Sequence, residues 1–119
     1  MKRDMDLVRQ ILLSIEEKAD SDNDMSVSID GYSEEQIHYH LKLLHDAGFI
    51  EAIDASSLSR TYYMPTGLTW EGHEFLDNIR DEKVWSKTKE KVASKVSSVS
   101  LAVLEETAKA VVKSALGLP

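Results

Sequence analysis

The sequence predicts a small mixed α+β domain that is followed by a C-terminal helical extension. In residues 38–52, HYHLKLLHDAGFIEA, apolar positions at helical spacing stop at a glycine and pass directly into a strand pattern. The run LTWEGHEFL at residues 68–76 begins another helix just after a second strand pattern. Apolar residues then recur at helical spacing as far as Leu116. We therefore expect a domain at residues 1–82 and a helical extension at residues 83–119.

The first helix is predicted at residues 4–18, because its apolar residues recur every three or four positions. The polar run at residues 20–24 should end this helix as a solvated loop. Val27 and Ile29 alternate with serines, which predicts a short, half-buried strand before a turn at residues 30–31.

The second helix and the wing are predicted by local signals. Ser33-Glu34-Glu35-Gln36 is a capping box, which begins a helix, and Gly48 favours the left-handed backbone with which many helices end. Strands are expected at residues 49–53 and 60–64, on either side of a small polar wing tip. Pro65 should end the pairing, because proline has no amide hydrogen.

A closing helix is predicted after Thr69, which can cap it, with Trp70, Phe75, Leu76 and Ile79 in its core. A capped helix, a two-stranded wing and a closing helix, in that order, are typical of a winged helix-turn-helix domain. Residues 30–32 alone separate the predicted strand from the capping box. The helix that normally precedes the recognition helix should therefore be missing or reduced to a turn. The predicted class is α+β, winged-helix-like, with a small antiparallel wing sheet.

Two resemblances support this interpretation. HLKLLHDAGFIE resembles the segment from recognition helix to wing in many bacterial winged-helix regulators. Residues 1–85 as a whole resemble a prophage-associated winged-helix family of unknown function, and LTWEGHEFLDNIRD is the most specific part of that match. The resemblance implies the fold and a phage setting, and it implies no particular activity.

The charge of the chain disfavours ordinary DNA binding, although it leaves it open. The net charge is −7, and residues 30–80 contain three basic residues against nine acidic ones. A DNA-binding surface neutralises phosphates with lysine and arginine, which this segment has in short supply. If the capped helix did enter a major groove, the candidate DNA-binding residues would be His38, Lys42, His45 and Arg60.

The extension at residues 84–116 is expected to form one long helix or two shorter ones. Its many valines and serines are mediocre helix formers, so the segment needs a surface to pack on. Packing on its own domain, pairing in a dimer and binding another protein all remain open, and a homo-oligomer, a dimer first, is favoured. The candidate oligomer-interface residues are Val92, Val96, Val99, Val103, Leu104 and Val111.

The sequence favours no catalytic, metal or cofactor site. It has no cysteine, no glycine-rich phosphate loop and no G-x-S-x-G elbow. The run His73-Glu74 begins like a metalloprotease motif, but Asp77 occupies the place of the second histidine. With no apolar run long enough for a membrane span and no secretory signal at its start, a cytoplasmic protein is expected.

Two functions therefore stand. The favoured one is a non-catalytic, prophage-type winged-helix protein that acts as a protein–protein interaction or assembly module, with an unidentified protein partner. The alternative is a DNA-binding transcriptional regulator that is dimerised through its C-terminal helix. Binding to duplex DNA that falls steeply with salt would separate the second from the first.

Overall fold

A computed structural model describes residues 1–19, 26–96 and 99–119. Within these ranges the protein is mixed α+β, with five helices and one two-stranded antiparallel sheet, which confirms the predicted class at that level. None of the described helices is long and apolar enough to span a membrane. The elements in chain order are α1 Met5–Ala19, α2 Glu34–Asp46, β1 Ile50–Asp54, β2 Tyr63–Leu68, α3 Trp70–Ile79, α4 Glu82–Ala93 and α5 Leu101–Ala115.

The chain divides into two compact units, with the division inside α3. Unit 1 is Met1–Glu74 and unit 2 is Phe75–Pro119. The separation of two domains after residue 82 stays a prediction. The loop predicted at residues 20–24 lies outside the described residues.

Unit 1 is built around α1, which packs against α2 and β2. Asp4 caps this helix: its carboxylate accepts the amide of Leu7 at 3.1 Å, and its carbonyl oxygen accepts the amide of Val8 at 3.0 Å. The apolar stripe predicted from helical spacing is confirmed, and Leu7 widens it. The fully buried side chains of α1 are Leu7, Ile11, Leu12 and Ile15.

A buried histidine ties α2 to the start of α1. His40 is 1% exposed; its Nε2 accepts the backbone N–H of Asp4 at 2.8 Å, and its Nδ1 lies 2.7 Å from the carbonyl oxygen of Gln36. This pair of bonds requires the tautomer that carries its hydrogen on Nδ1. The hydroxyl of Tyr32 donates to the Asp4 carboxylate at 3.1 Å. Three segments of the chain therefore meet at one polar junction.

Both ends of α2 are as predicted. Ser33 and Gln36 form a reciprocal capping box, and Gly48 follows the helix with a φ of 82°. The amides of Gly48 and Phe49 return to the carbonyl oxygens of His45 and Leu44, which is a Schellman motif.

The segment before α2 differs from one expectation and agrees with another. Val27 and Ile29 are half-buried, but they pair with no described strand, so the strand predicted there is wrong. Residues 26–33 also contain no helix, as expected from the short spacing before the capping box. Alternation of apolar and polar residues indicates a half-buried segment, and it does not supply the partner strand that pairing needs.

The wing is an antiparallel hairpin whose β2 continues through Pro65. Ala52 pairs with Pro65 and Glu51 with Gly67, so Thr66 is an extra residue opposite the partner strand. Pro65 is buried and lies at this irregularity, where a missing amide hydrogen is tolerated. The expectation that Pro65 ends the pairing is therefore wrong, and the returning strand lies a few residues later than predicted.

The first turn of α3 is fixed against the end of α2. The Thr69 hydroxyl accepts the amide of Gly72 at 3.0 Å and donates to the carbonyl oxygen of Gly48 at 2.6 Å, so Thr69 is the predicted cap. The amide of Thr69 donates to the carbonyl oxygen of Phe49 at 3.1 Å. A Cβ on Gly72 would lie 2.0 Å from that same oxygen. Only glycine allows this approach.

Trp70 is not the core residue that the sequence predicts. Its side chain is 75% exposed, whereas Phe75, Leu76 and Ile79 are fully buried as expected. Helical geometry explains the difference: the three buried residues share one face of α3, and Trp70 falls on the opposite face.

Unit 2 contains two shorter helices, which decides between the alternatives left open for the extension. Asp81 caps α4 and Ser100 caps α5, and the two helices pack against each other. The buried side chains of this helix pair are Trp85, Thr88, Leu104, Ala108 and Val111.

Candidate interaction site on the second helix and the wing

The residues predicted to contact DNA lie on one side of unit 1. His38, Lys42 and His45 follow one another along α2, and Arg60 lies at the tip of the wing. We call the surface formed by these four residues with Tyr62 and Tyr63 the helix–wing face. His38, Lys42 and Arg60 line an open cleft of ≈ 440 Å³, and the other lining residues are Met1, Glu34, Glu35, Tyr39, Ser59 and Thr61.

His38 is held against the wing by an aromatic contact. Its ring centroid is 4.7 Å from that of Tyr62. The guanidinium of Arg60 lies over the face of the same tyrosine ring, with its Cζ 5.3 Å from the ring centroid. Burial, and then the positive charge of Arg60, lower the pKa of His38 below its usual value, and Glu34 opposes this. The contact therefore favours the neutral imidazole, which carries no charge to a phosphate.

His45 makes the equivalent contact one step along the hairpin. Its ring stacks on that of Tyr63 with centroids 4.9 Å apart. Its Nδ1 is buried without a hydrogen-bond partner, and the nearest carboxylate oxygen, from Asp46, is 3.6 Å away. Two wing tyrosines thus cover two of the three α2 side chains that would face a DNA groove.

Lys42 is paired within α2. Its Nζ lies 2.6 Å from the Asp46 carboxylate, one helical turn away. The bond raises the pKa of Lys42 and lowers the pKa of Asp46. Both side chains are about half exposed, so the pair adds little stability, but it occupies the lysine.

The wing tip is a tight turn with an exposed leucine. Ser57 and Arg60 exchange backbone hydrogen bonds, and Leu58 between them projects fully into solvent. At the base of this turn, Asp54 accepts the amide of Ser56 at 2.9 Å. Hydrogen bonding from Ser56 lowers the pKa of the Asp54 carboxyl, so a negative charge stands beside the wing as well.

The other two histidines, His40 and His73, contact groups of the protein itself. His40 is enclosed in the junction with Asp4, and Nδ1 of His73 lies 3.7 Å from the carboxylate of Glu16. Among residues 1–19, 26–96 and 99–119, no three histidine, aspartate or glutamate side chains lie close enough together to hold a metal ion.

The candidate oligomer residues fall into three groups in unit 2. Leu104 and Val111 are buried within the unit, at 3% and 4% exposure. Val92 and Val99 are half-buried, and the exposed pair is Val96 and Val103. The role of these six residues in an oligomer stays a prediction, and the surface available for it is the exposed pair.

Sequence reasoning missed the two wing tyrosines. Tyr62 and Tyr63 were assigned only to a returning strand, and their contacts with α2 depend on residues 18 to 24 positions away in the chain. An available signal was the presence of adjacent aromatic residues on a strand that follows a helix rich in histidine, since aromatic rings pair across such distances.

The described fold and face define a small mixed α+β protein with a helix–hairpin surface. The chain belongs to the DUF2513 family: residues 2–99 match its model, described as "Hypothetical protein (DUF2513)". It is also similar to a protein of Haemophilus influenzae with the name "Uncharacterized protein", at 39% identity over 117 residues, which covers 98% of this chain and 99% of that relative. No solved structure gives a significant match. Both descriptions leave the activity open. The winged-helix identity and the phage setting that the resemblance of residues 1–85 implies stay predictions.

Proposed function

We propose that this protein is a non-catalytic, winged-helix-like module for protein–protein interaction or assembly. One observation carries the proposal: Tyr62 and Tyr63 of the wing lie on His38 and His45 of α2. Two side chains of the helix surface that a DNA reader would insert into a major groove are therefore partly shielded by its own wing.

The order of elements supports the winged-helix-like part of the proposal. A capped helix, a two-stranded hairpin and a closing helix follow one another as α2, β1, β2 and α3, and the hairpin packs on α2. No helix lies in residues 26–33, where a helix-turn-helix protein places the helix that crosses the phosphate backbone. In this proposal the scaffold resembles a winged helix in its order of elements and lacks the helix through which such proteins usually contact the phosphate backbone.

The charges of the helix–wing face support a protein partner. Lys42 is bonded to Asp46, and Glu34 and Glu35 line the same cleft as Arg60. Phosphate binding needs several cations without carboxylates beside them, and this cleft mixes both signs. Tyrosine and arginine beside an exposed Leu58 are the composition that protein interfaces favour.

Duplex binding tests the proposal against its alternative. A labelled random duplex, titrated with the full chain between about 50 and about 200 mM salt, should show no salt-dependent binding. Lys42→Glu with Arg60→Glu should then change nothing in this assay. Binding that falls steeply with salt and is abolished by the double variant would replace the interaction module with a DNA-binding protein.

A photoreactive amino acid at the wing tip tests the use of this surface in cells. Placed at Leu58, it should give a discrete adduct that nuclease does not remove. The matched control is the same amino acid at Glu17, which is exposed on α1. Equal labelling at both positions, or an adduct that nuclease removes, would contradict the proposal.

A further inference from the structure

Among the exposed apolar side chains of the described ranges, the largest is that of Trp70, in the first turn of α3. Trp70 is 75% exposed, although Gly72, two residues later, is buried against the backbone of Phe49. An indole held in water on a fixed helix end costs hydration free energy, and tryptophan is the side chain most enriched at the centres of protein interfaces. We therefore treat Trp70 as the anchor of a contact surface.

Two acidic residues follow Trp70 in the first turns of α3. Glu71 and Glu74 are both exposed, and neither makes an ion pair with any described residue. Glu74 is one helical turn from Trp70, on the same side of α3. We call Trp70, Glu71 and Glu74 the α3 patch. A π-face beside two carboxylates suits a cation, and a lysine or arginine over an indole is a favourable pair.

Unit 2 contains a matching row of cations. Lys83, Lys87 and Lys91 recur every fourth residue along α4, and all three are exposed. Within the described ranges none of them pairs with a carboxylate. Like charges at this spacing repel each other slightly, and a negatively charged partner would reduce this repulsion. We call these three residues the α4 lysine row.

The two surfaces have the same repeat. Trp70 and Glu74 are four residues apart, as are neighbouring lysines of the row, and four residues advance about 6 Å along either helix. The chain already contains one contact of the required kind, because Lys89 lies over the ring of Trp85 with 5.7 Å from Nζ to the centroid. An ammonium from outside could engage Trp70 in the same way.

We propose that the α4 lysine row of a second copy of this chain docks on the α3 patch, with its ammonium groups over Trp70 and against Glu71 and Glu74. The chain supplies both surfaces, and its charge is divided accordingly: residues 1–80 contain sixteen acidic and seven basic residues, residues 81–119 five and seven. Two reciprocal contacts would close a dimer. The proposal rests on the proposed function, because it names the partner of an assembly module.

Sedimentation of the full chain over a range of concentrations tests this contact. We expect self-association that weakens at high salt, accompanied by a blue shift of tryptophan emission as Trp70 loses water. The chain has two tryptophans, and Trp85 is already buried, so the shift reports Trp70. In a Trp70→Gln variant, the dissociation constant of the dimer should rise at least about tenfold, and the blue shift should be lost.

Charge reversal makes the test specific. Glu71→Lys with Glu74→Lys, and separately Lys87→Glu with Lys91→Glu, should each abolish self-association, whereas an equimolar mixture of the two variants should associate again. The control is Glu17→Lys with Glu51→Lys, which makes the same charge change at exposed positions of unit 1 and should leave association unchanged. Circular dichroism confirms that each variant is folded.

The outcomes separate this proposal from the one on which it rests. A monomer at every concentration, or charge-reversed variants that associate like the wild type, would overturn the α3–α4 contact. Salt-dependent duplex binding by the helix–wing face would instead overturn the interaction module, and it would do so whether or not the chain self-associates.

Discussion

Units 1 and 2 both contain packed helices, but the contacts inside each unit are of different kinds. In unit 1, side-chain hydrogen bonds join residues far apart in the chain: 36 positions separate Asp4 from His40, 28 separate Asp4 from Tyr32, and 21 separate Gly48 from Thr69. These bonds fix where α1, α2 and α3 lie relative to the hairpin.

In unit 2, the caps and hydroxyl groups bond within their own helices. Ser100 caps the helix that follows it, and Thr88 and Thr107 each donate to the carbonyl oxygen four residues earlier. The packing of α4 on α5 uses small and apolar side chains such as Ala108 and Val111. An alternative packing of unit 1 would leave several buried polar groups without partners, whereas an alternative packing of unit 2 would leave few. The packing of unit 1 is therefore specified more strictly than that of unit 2.

The largest effect should come from closing the space at the start of α3. Gly72→Ala places a Cβ against the Phe49 carbonyl, and we expect it to reduce the free energy of unfolding by about 3 kcal/mol. Gly67→Ala is the matched control, because nothing lies within 4 Å of its Cβ, and it should cost less than about 1 kcal/mol. Urea denaturation measures both. If both variants lost a similar amount of unfolding free energy, the close approach at Gly72 would not be a feature that distinguishes unit 1 from unit 2.

The next effect should be confined to unit 2. Leu104→Ala empties a buried position of α5 and should cost about 2 to 3 kcal/mol of local stability. Hydrogen exchange should then accelerate at the amides of α4 and α5 and stay unchanged in α1. Val103→Ala, at the neighbouring half-exposed position, is the control and should have little effect. Faster exchange throughout α1 would show that the two units unfold together.

A smaller effect is expected at the polar junction of unit 1. His40→Leu leaves the Asp4 amide without its acceptor and should cost about 2 kcal/mol, measured by urea denaturation. His38→Leu, on the same helix but half-exposed, should cost less than about 1 kcal/mol. If both substitutions had the same small effect, the long-range hydrogen bond would not be what specifies unit 1.

The smallest effect is a loss of stability in alkali. Burial raises the pKa of Tyr32 above its usual value, and the hydrogen bond to Asp4 and the charges of Asp4 and Asp6 add to this. Because the folded-state pKa is the higher one, the contribution is complete below pH 10.0 and is lost as the pH rises through the folded value. Urea denaturation at rising pH should show a steeper loss for the wild type than for Tyr32→Phe. Parallel curves would contradict this.

Local signals in the sequence predicted the local parts of the fold. The capping box at Ser33, the turn at Gly48 and the cap at Thr69 were all correct, because each depends on residues within four positions. The same is true of the apolar stripe of α1, whose period reports its buried face.

The parts that depend on distant residues were predicted less well. The strand at Val27 and Ile29 lacks a partner, Pro65 lies at an irregularity of the sheet, and Trp70 points away from the core. At the site, the position of His38 beside Arg60 was predictable from a helix followed by a wing. The tilted ring contact between Tyr62 and that histidine was not, because ring contacts between elements leave no periodic trace in the sequence.

The hydrogen bonds between Gly48, Phe49 and Thr69 have a consequence for how this scaffold can vary. They join the end of α2 to the start of α3, so the two ends of the intervening hairpin are held close together. Lengthening a loop costs only about 0.6 kcal/mol for each doubling of its length. Insertions around Leu58 should therefore leave the helices in register, and we expect the wing to be the part of this domain that tolerates changes of length most readily.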